Sequence, residues 1–192
     1  MEKGASHLHA LDDCGVLVSV LADSLRKDFS RHRPLVAPSL RGIVTLFLTT
    51  PGYTATTFLR FQQFWARRRV TFLLGITRSV CHALTGADFV PGCKVGDGLL
   101  LPHPNGVVVG NGVRIGDDCT ILQQVTLGDK YADSRADHRY PVIGDRVMIG
   151  AGAKVIGYMN VGDDSCIGAN SVVTRDVLAG STVVGIPARR ID

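Results

Sequence analysis

The chain has 192 residues, 45% of them hydrophobic and 20% charged, and a formal net charge of +4 at pH 7. We expect one or two domains and no nucleic-acid partner, because the basic excess of residues 1–80 accompanies no nucleic-acid-binding motif. Five cysteines without a Cys-x-x-Cys pair or a zinc-like His/Cys cluster argue against a disulfide framework and a metal site. They predict a reducing, cytoplasmic location.

Residues 1–87 are predicted to form an α-helical N-terminal region. Apolar residues recur at helical spacing over about residues 11–29, which predicts a first amphipathic helix. Asp13 stands near its start and is a candidate N-cap.

Prolines divide the rest of this region. Pro34 and Pro38 interrupt the helical pattern, and Pro51 marks a second stop. A longer helical pattern then runs over residues 53–84. No apolar stretch is long enough to span a bilayer, and we expect neither a membrane span nor a signal peptide.

Residues 88–192 are predicted to form a parallel β-helix. Branched aliphatic residues recur every six positions in three runs, and glycine follows many of them: Val95, Leu101 and Val107; then Val109, Ile115, Ile121 and Leu127; then Ile143, Ile149, Val155, Val161, Ile167 and Val173. Six residues suit one flat face of a three-sided coil, so three faces make an eighteen-residue turn. The alternative, a parallel sheet with crossover helices, lacks any sufficiently long helical period after Val90.

One segment interrupts this period. Residues 129–141 are polar and charged and lie between the aliphatic positions Leu127 and Ile143. This composition predicts a loop that leaves the β-helix.

His103 is the candidate catalytic residue, because an imidazole in a regular apolar repeat needs an explanation. Asp88 precedes it by fifteen residues, close to one turn of the coil, so the two side chains are expected to lie on neighbouring coils. A carboxylate that accepts from one ring nitrogen leaves the other free as a base. Such a pair can deprotonate an external hydroxyl.

Several motifs resemble the serine acetyltransferase family over residues 53–190. They are Asp88-x-x-Pro91-x-x-Lys94-Val95-Gly96, His103-x-x-Gly106-Val-Val-Val-Gly110, Ile121-Leu-Gln-Gln-Val-Thr-Leu-Gly128, Val147-Met-Ile-Gly-Ala-Gly-Ala-Lys154 and Gly185-Ile-Pro-Ala-Arg189. The resemblance implies a left-handed parallel β-helix that forms C3 trimers and transfers acetyl from acetyl-CoA to a hydroxyl.

The resemblance also implies roles for individual residues. His103 corresponds to the general base and Asp88 to its partner. Coenzyme A is expected in the groove between subunits, with Gly128, Ala151 and Ala169 as cofactor-binding residues.

The chain departs from the family pattern at the expected acceptor site. In the family, one carboxylate residue directly precedes the catalytic histidine, and this chain has Pro102 at that position. The family's second carboxylate residue corresponds to Ala37. The family's Arg-His-Pro in the loop is replaced by Arg139-Tyr140-Pro141, so Arg139 and Tyr140 are predicted to bind the acceptor, with an anionic group on Arg139.

These departures shape the functional prediction. We interpret the chain as an acyl-CoA-dependent O-acetyltransferase whose acceptor is a small hydroxylated metabolite, a serine-derived compound or a sugar. The alternatives are a true L-serine O-acetyltransferase of cysteine biosynthesis and a non-catalytic β-helix assembly subunit. A γ-type carbonic anhydrase is disfavoured, because it needs three histidines and only His103 and His138 follow residue 85. The sequence ends without the family's tail that docks on cysteine synthase, which argues against that partnership.

Overall fold

The computed structural model describes residues 3–130 and 140–191, and within residues 3–14 it describes the backbone alone. Helices occupy the first half of this chain and short strands the second. The helices are α1 (Lys3–His32), α2 (Leu40–Thr49), α3 (Pro51–Arg67) and α4 (Thr71–Thr85). None of the helices among the described residues is long and apolar enough to cross a bilayer.

The helical boundaries correct three expectations. The first helix starts at Lys3, so Asp13 lies inside it and is not its cap. An unpredicted helix, α2, begins after Ser39, whose side-chain oxygen accepts a hydrogen bond from the Gly42 N–H at 3.1 Å. The long helical pattern of residues 53–84 is two helices, because the chain turns after Arg67 and Arg69 adopts a positive φ of 57°.

The strands are two to four residues long. Their bounds are β1 (Asp88–Phe89), β2 (Lys94–Val95), β3 (Val108–Val109), β4 (Arg114–Ile115), β5 (Thr120–Ile121), β6 (Thr126–Gly128), β7 (Val142–Ile143), β8 (Met148–Ile149), β9 (Lys154–Ile156), β10 (Asn160–Val161), β11 (Cys166–Ile167), β12 (Val172–Val173), β13 (Thr182–Gly185) and β14 (Ala188–Arg190). In almost every strand the inward residue is buried and its neighbour is not, as the alternation of a strand requires.

The strands form the three faces of a prism. The first sheet has the order β1-β3-β6-β9-β12, the second β2-β4-β7-β10, and the third β5-β8-β11-β13-β14. All pairings are parallel except β13 with β14 at the C-terminal end. The fold is the left-handed parallel β-helix, and the prediction of fold class is confirmed.

The turns of the β-helix are not all of one length. Val172 pairs with Lys154, eighteen residues earlier, as the period predicts. Asp88 instead pairs with Val108, twenty residues later. Because Leu101 and Val107 both remain buried, the two extra residues bulge outward between them. His103 lies in this bulge.

Each edge of the prism has its own character. The loop edge, between the first and second sheets, carries Gly128 and Tyr140. The aspartate edge, between the second and third sheets, stacks Asp97, Asp117, Asp145 and Asp163, each of the last three accepting a hydrogen bond from the backbone N–H of the one before. The histidine edge, between the third and first sheets, carries His103, Gln123, Ala151 and Ala169.

A buried ion pair fastens the helices to the first coils. Arg60 of α3 donates from Nε and Nη2 to the two carboxylate oxygens of Asp28 of α1, at 2.7 and 3.0 Å. Asp28 also accepts from the backbone N–H groups of Gly98 and Leu99. Both charged side chains are almost completely buried, so the hydrogen bonds replace the water that each has lost.

Candidate active site

The histidine edge differs from the aspartate edge in its backbone hydrogen bonding. On the aspartate edge, the N–H of each corner residue from Asp97 to Asp145 donates to the aspartate of the next coil. On the histidine edge, the corresponding N–H groups of Gln123, Ala151 and Ala169 donate to no group within the described part of the chain. The histidine edge therefore presents a row of open hydrogen-bond donors.

The stacking of coils sets the spacing of this row. Gln124 N–H donates to the Asn105 carbonyl, Gly152 N–H to the Gln123 carbonyl and Asn170 N–H to the Ala151 carbonyl. These bonds place the His103 bulge and Ala169 three coils apart. At about 4.8 Å per coil, the row extends roughly 14 Å from the His103 bulge.

His103 stands at one end of this row. Its side chain is exposed and makes no hydrogen bond to any described residue. The neighbouring Leu101 and Pro104 are buried and hold the bulge on the coil, while Pro102 is exposed. An open imidazole on a fixed backbone is available to a ligand in the adjacent groove.

Asp88 is held by a residue that carries no motif in the sequence. Arg78 of α4 donates from Nε to Oδ1 at 2.7 Å and from Nη2 to Oδ2 at 2.8 Å. These hydrogen bonds hold the pKa of Asp88 below its usual range, against partial burial, which raises it. The guanidinium charge and the nearby His82 lower it further.

The expected hydrogen bond between Asp88 and His103 does not form. Among the described residues, Arg78 takes both carboxylate oxygens, and no bond joins Asp88 to His103. The twenty-residue turn is one physical reason, since it moves His103 outward from the coil on which Asp88 lies. The imidazole whose charge acts on Asp88 is that of His82, on the exposed side of α4.

The predicted acceptor and cofactor residues are divided between two edges. Ala151 and Ala169 lie on the histidine edge with His103, whereas Gly128 lies on the loop edge. Tyr140 also lies on the loop edge, where its ring covers Gly112 so closely that a Cβ at that position would overlap it. Arg139 lies outside the described residues.

Two further positions named from the sequence lie apart from one another. Ala37 is exposed in the turn between α1 and α2, and Pro102 is exposed in the His103 bulge. Neither side chain can accept a hydrogen bond. No group of three or more His, Cys, Asp or Glu that could hold a metal ion occurs in the described part of the chain.

Comparison with known proteins identifies the repeat. Residues 140–175 match the family model described as bacterial transferase hexapeptide (six repeats). A serine acetyltransferase of Helicobacter pylori is 41% identical over 154 residues, which cover 80% of this chain and 89% of that protein.

Solved structures give the same result. A crystal structure of serine acetyltransferase from Brucella abortus matches with a TM-score of 0.77 at 33% identity, covering 88% of this chain and 68% of that one. The soybean serine acetyltransferase complexed with serine matches with a TM-score of 0.77 at 33% identity, covering 96% and 73%.

Proposed function

The chain belongs to the serine acetyltransferase family, and from that premise we propose that it transfers the acetyl group of acetyl-CoA to the hydroxyl of L-serine. That it is an acyltransferase enzyme follows from the family itself. Acetyl-CoA is the co-substrate of this family. The observation that carries the proposal is the histidine edge, where an unpartnered imidazole adjoins a row of open backbone donors.

The open donors suit the acetyl-CoA arm. The pantetheine arm carries two amide groups whose carbonyl oxygens need hydrogen-bond donors once water is excluded. The N–H groups of Ala151 and Ala169 are open and fixed by the coil backbone. A coenzyme A arm laid along this edge brings its thioester toward His103. Gly128 lies at the opposite edge of the first sheet, at the end of β6. It remains a predicted cofactor-binding residue for a part of acetyl-CoA that extends across this sheet.

His103 supplies the proton transfer. Its imidazole takes the proton from the serine hydroxyl while the hydroxyl oxygen attacks the thioester carbonyl. A backbone N–H of the edge stabilises the oxyanion that develops on the carbonyl oxygen. When the C–S bond breaks, the imidazolium returns the proton to the departing coenzyme A thiolate, so that the charges balance.

Asp88 and Arg78 influence this site through the backbone and not through a bond to His103. Asp88 is negative at neutral pH, because Arg78 stabilises its charged form. The pair ties α4 to β1, and the carbonyl of Val107 on the His103 coil accepts from the N–H of Asp88 at 2.8 Å. We assign both residues a positioning role.

The division of the site between two edges calls for a second copy of the chain. Tyr140 and His103 lie on different edges of one prism, and we propose that they contact one acceptor from two adjoining subunits. In a C3 trimer, the loop edge of one subunit faces the histidine edge of the next, which completes three equivalent sites. Light scattering that shows an active monomer of about 20 kDa contradicts this assembly.

The comparisons favour L-serine over the wider acceptor class expected from the sequence. The family members are named for serine, and one of the matched structures is described as complexed with it. The prediction of an acceptor other than serine was based on Pro102 and Ala37. L-serine therefore requires another group in the assembled site to accept hydrogen bonds from its ammonium. A serine-derived acceptor without a free amine remains the second candidate, because neither position offers a carboxylate.

One assay separates the two acceptors. Release of coenzyme A is measured with acetyl-CoA and either L-serine, N-acetyl-L-serine or a hydroxylated sugar. A kcat/KM for L-serine at or above about 10⁴ M⁻¹s⁻¹, within the usual range for native substrates, supports the proposal. Turnover of N-acetyl-L-serine with none of L-serine supports the second candidate. If acetyl-CoA is only hydrolysed, or no coenzyme A is released with any of the hydroxyl compounds, both candidate acceptors are contradicted.

A further inference from the structure

A cavity of about 510 Å³ lies between α3, α4 and the first coil, and it includes neither His103 nor Asp88. Its walls come from Leu59 and Ala66 of α3, Leu74 of α4, and Val90 and Pro91 after β1. The volume is in the range of small-molecule sites, which are concave and mostly apolar with a few polar groups. The residues that make the walls leave room for an apolar ligand.

The charged groups at this cavity have one sign. Arg67 and Lys94 line it, both are exposed, and neither forms an ion pair with another described residue. Among the described residues, no carboxylate lines the cavity. Cys93 is the remaining titratable residue that lines the cavity. Burial raises the pKa of its thiol to about 12, so the thiol remains uncharged near neutral pH. Two unpaired cations beside an apolar cavity favour an anion that carries an apolar body.

A buried amide gives a second, independent indication. Gln62 lines the cavity and is 4% exposed, yet its side-chain nitrogen has no hydrogen-bond partner in the described part of the chain. The amide of the neighbouring Gln63, by contrast, donates to the carbonyl of Val95 and accepts from Arg60. A buried polar group without a partner costs free energy, and a ligand with an acceptor oxygen can remove that cost.

We propose that this cavity binds an amphipathic carboxylate, such as a medium-chain fatty acid, with its chain against the apolar walls and its carboxylate held by Arg67 and Lys94. Gln62 provides a further hydrogen-bonding group beside the carboxylate. Within one chain, this site lies on the loop-edge side of the first coil and shares no residue with the histidine edge, and the proposal does not rest on the transfer of acetyl groups. Because Leu74 lies one helical turn before Arg78, the ligand contacts the helix that holds Asp88.

The experiment uses decanoate as the probe on the full-length chain, with decanol and decylammonium as matched ligands of neutral and positive charge. Binding is measured by isothermal titration calorimetry, with and without saturating coenzyme A. The variants are Arg67→Ala with Lys94→Ala, which removes the cations, and Ala66→Trp, which fills the cavity from an exposed position of α3. Arg68→Ala is the matched control, since Arg68 is exposed on the same segment and does not line the cavity.

We expect one decanoate per chain, unaffected by coenzyme A. The double variant should weaken decanoate by about tenfold or more and leave decanol unchanged, while Ala66→Trp should weaken both and Arg68→Ala neither. The proposal is overturned by a lack of saturable binding, by competition with coenzyme A, or by a decanoate affinity that does not change in the double variant. Equal affinity for decanoate and decylammonium also overturns it.

Discussion

Gly52, at the start of α3, packs directly on the carbonyl group of Leu101, in the coil that carries His103. A Cβ atom at position 52 would overlap the Leu101 carbonyl oxygen, and His32 of α1 closes the same space. Since Leu101 lies two residues before His103, this close approach connects the helical region with the candidate base. The connection has no signature in the sequence beyond a glycine after a proline.

This contact predicts that Gly52→Ala lowers both stability and turnover. The backbone of Leu101 has to move to admit the methyl group, at a cost of about 1–3 kcal/mol in the free energy of unfolding. Gly75→Ala on α4 is the control, because a Cβ there meets nothing within 4 Å. It should be neutral or stabilise the protein by up to about 1 kcal/mol, since alanine favours a helix over glycine. Urea unfolding and kcat are the measurements, and equal results for the two variants contradict the contact.

His103→Ala should lower kcat by roughly 10²–10⁴ and leave the KM for acetyl-CoA unchanged, because it removes the base and no part of the coenzyme site. The melting temperature should not change, since the side chain is exposed and unpartnered. His82→Ala is the decisive comparison, because His82 is the imidazole whose charge acts on Asp88. Loss of activity in His82→Ala with activity retained in His103→Ala would transfer the role of base to His82.

Arg78→Ala should lower kcat by roughly 10–100-fold with little change in the KM for acetyl-CoA, because it releases Asp88 and with it the geometry of the first coils. Arg78→Lys should restore part of the activity, as lysine keeps the charge and loses the bidentate geometry. Arg146→Ala breaks a bidentate pair of the same shape with Asp164 on the aspartate edge. Its kcat should equal that of the wild type. A loss in Arg146→Ala as large as in Arg78→Ala would show a general effect on the fold.

Asp28→Asn should destabilise the protein by about 3–5 kcal/mol, because the buried charge of Arg60 then keeps only the half-exposed Asp97, at 3.9 Å, as a counter-charge. Asp23→Asn is the matched change at an exposed pair with Arg26 on the same helix, and it should cost less than about 1 kcal/mol. Chemical unfolding followed by far-UV circular dichroism measures both. If Asp28→Asn costs no more than Asp23→Asn, the buried pair does not hold the helices to the coils.

His32 should make stability depend on pH below about 6.5. Burial lowers its pKa and outweighs the nearby carbonyl oxygens of Asp28 and Leu101. The unfolded chain therefore binds the proton more readily than the folded one, and stability falls as pH falls from the unfolded value of 6.5 toward the lower folded value. His32→Phe keeps a ring beside Tyr53, with 5.6 Å between the ring centroids of His32 and Tyr53. Its unfolding free energy should vary less over this window, and an unchanged slope would rule out His32 as the cause.

The six-residue period was sufficient by itself to predict the β-helix, because an aliphatic residue at every sixth position indicates a side chain that faces the core of each coil. The predicted core positions, from Val95 to Val173, are buried in the structure. The motifs around His103 and Ala151 likewise pointed to the family, which the comparisons then established. Short-range sequence patterns were therefore sufficient to predict both the fold and the family.

Tertiary structure alone decided which groups meet across long stretches of chain. Asp88 was expected to bond with His103, yet Arg78 takes both of its oxygens, because α4 packs on the first coil. The break at Arg69 that separates α4 from α3 was also missed, since an arginine with positive φ carries no signal. The open N–H groups of the histidine edge are equally invisible in the sequence. They stay open because no aspartate stands above them, and that depends on how successive coils are stacked.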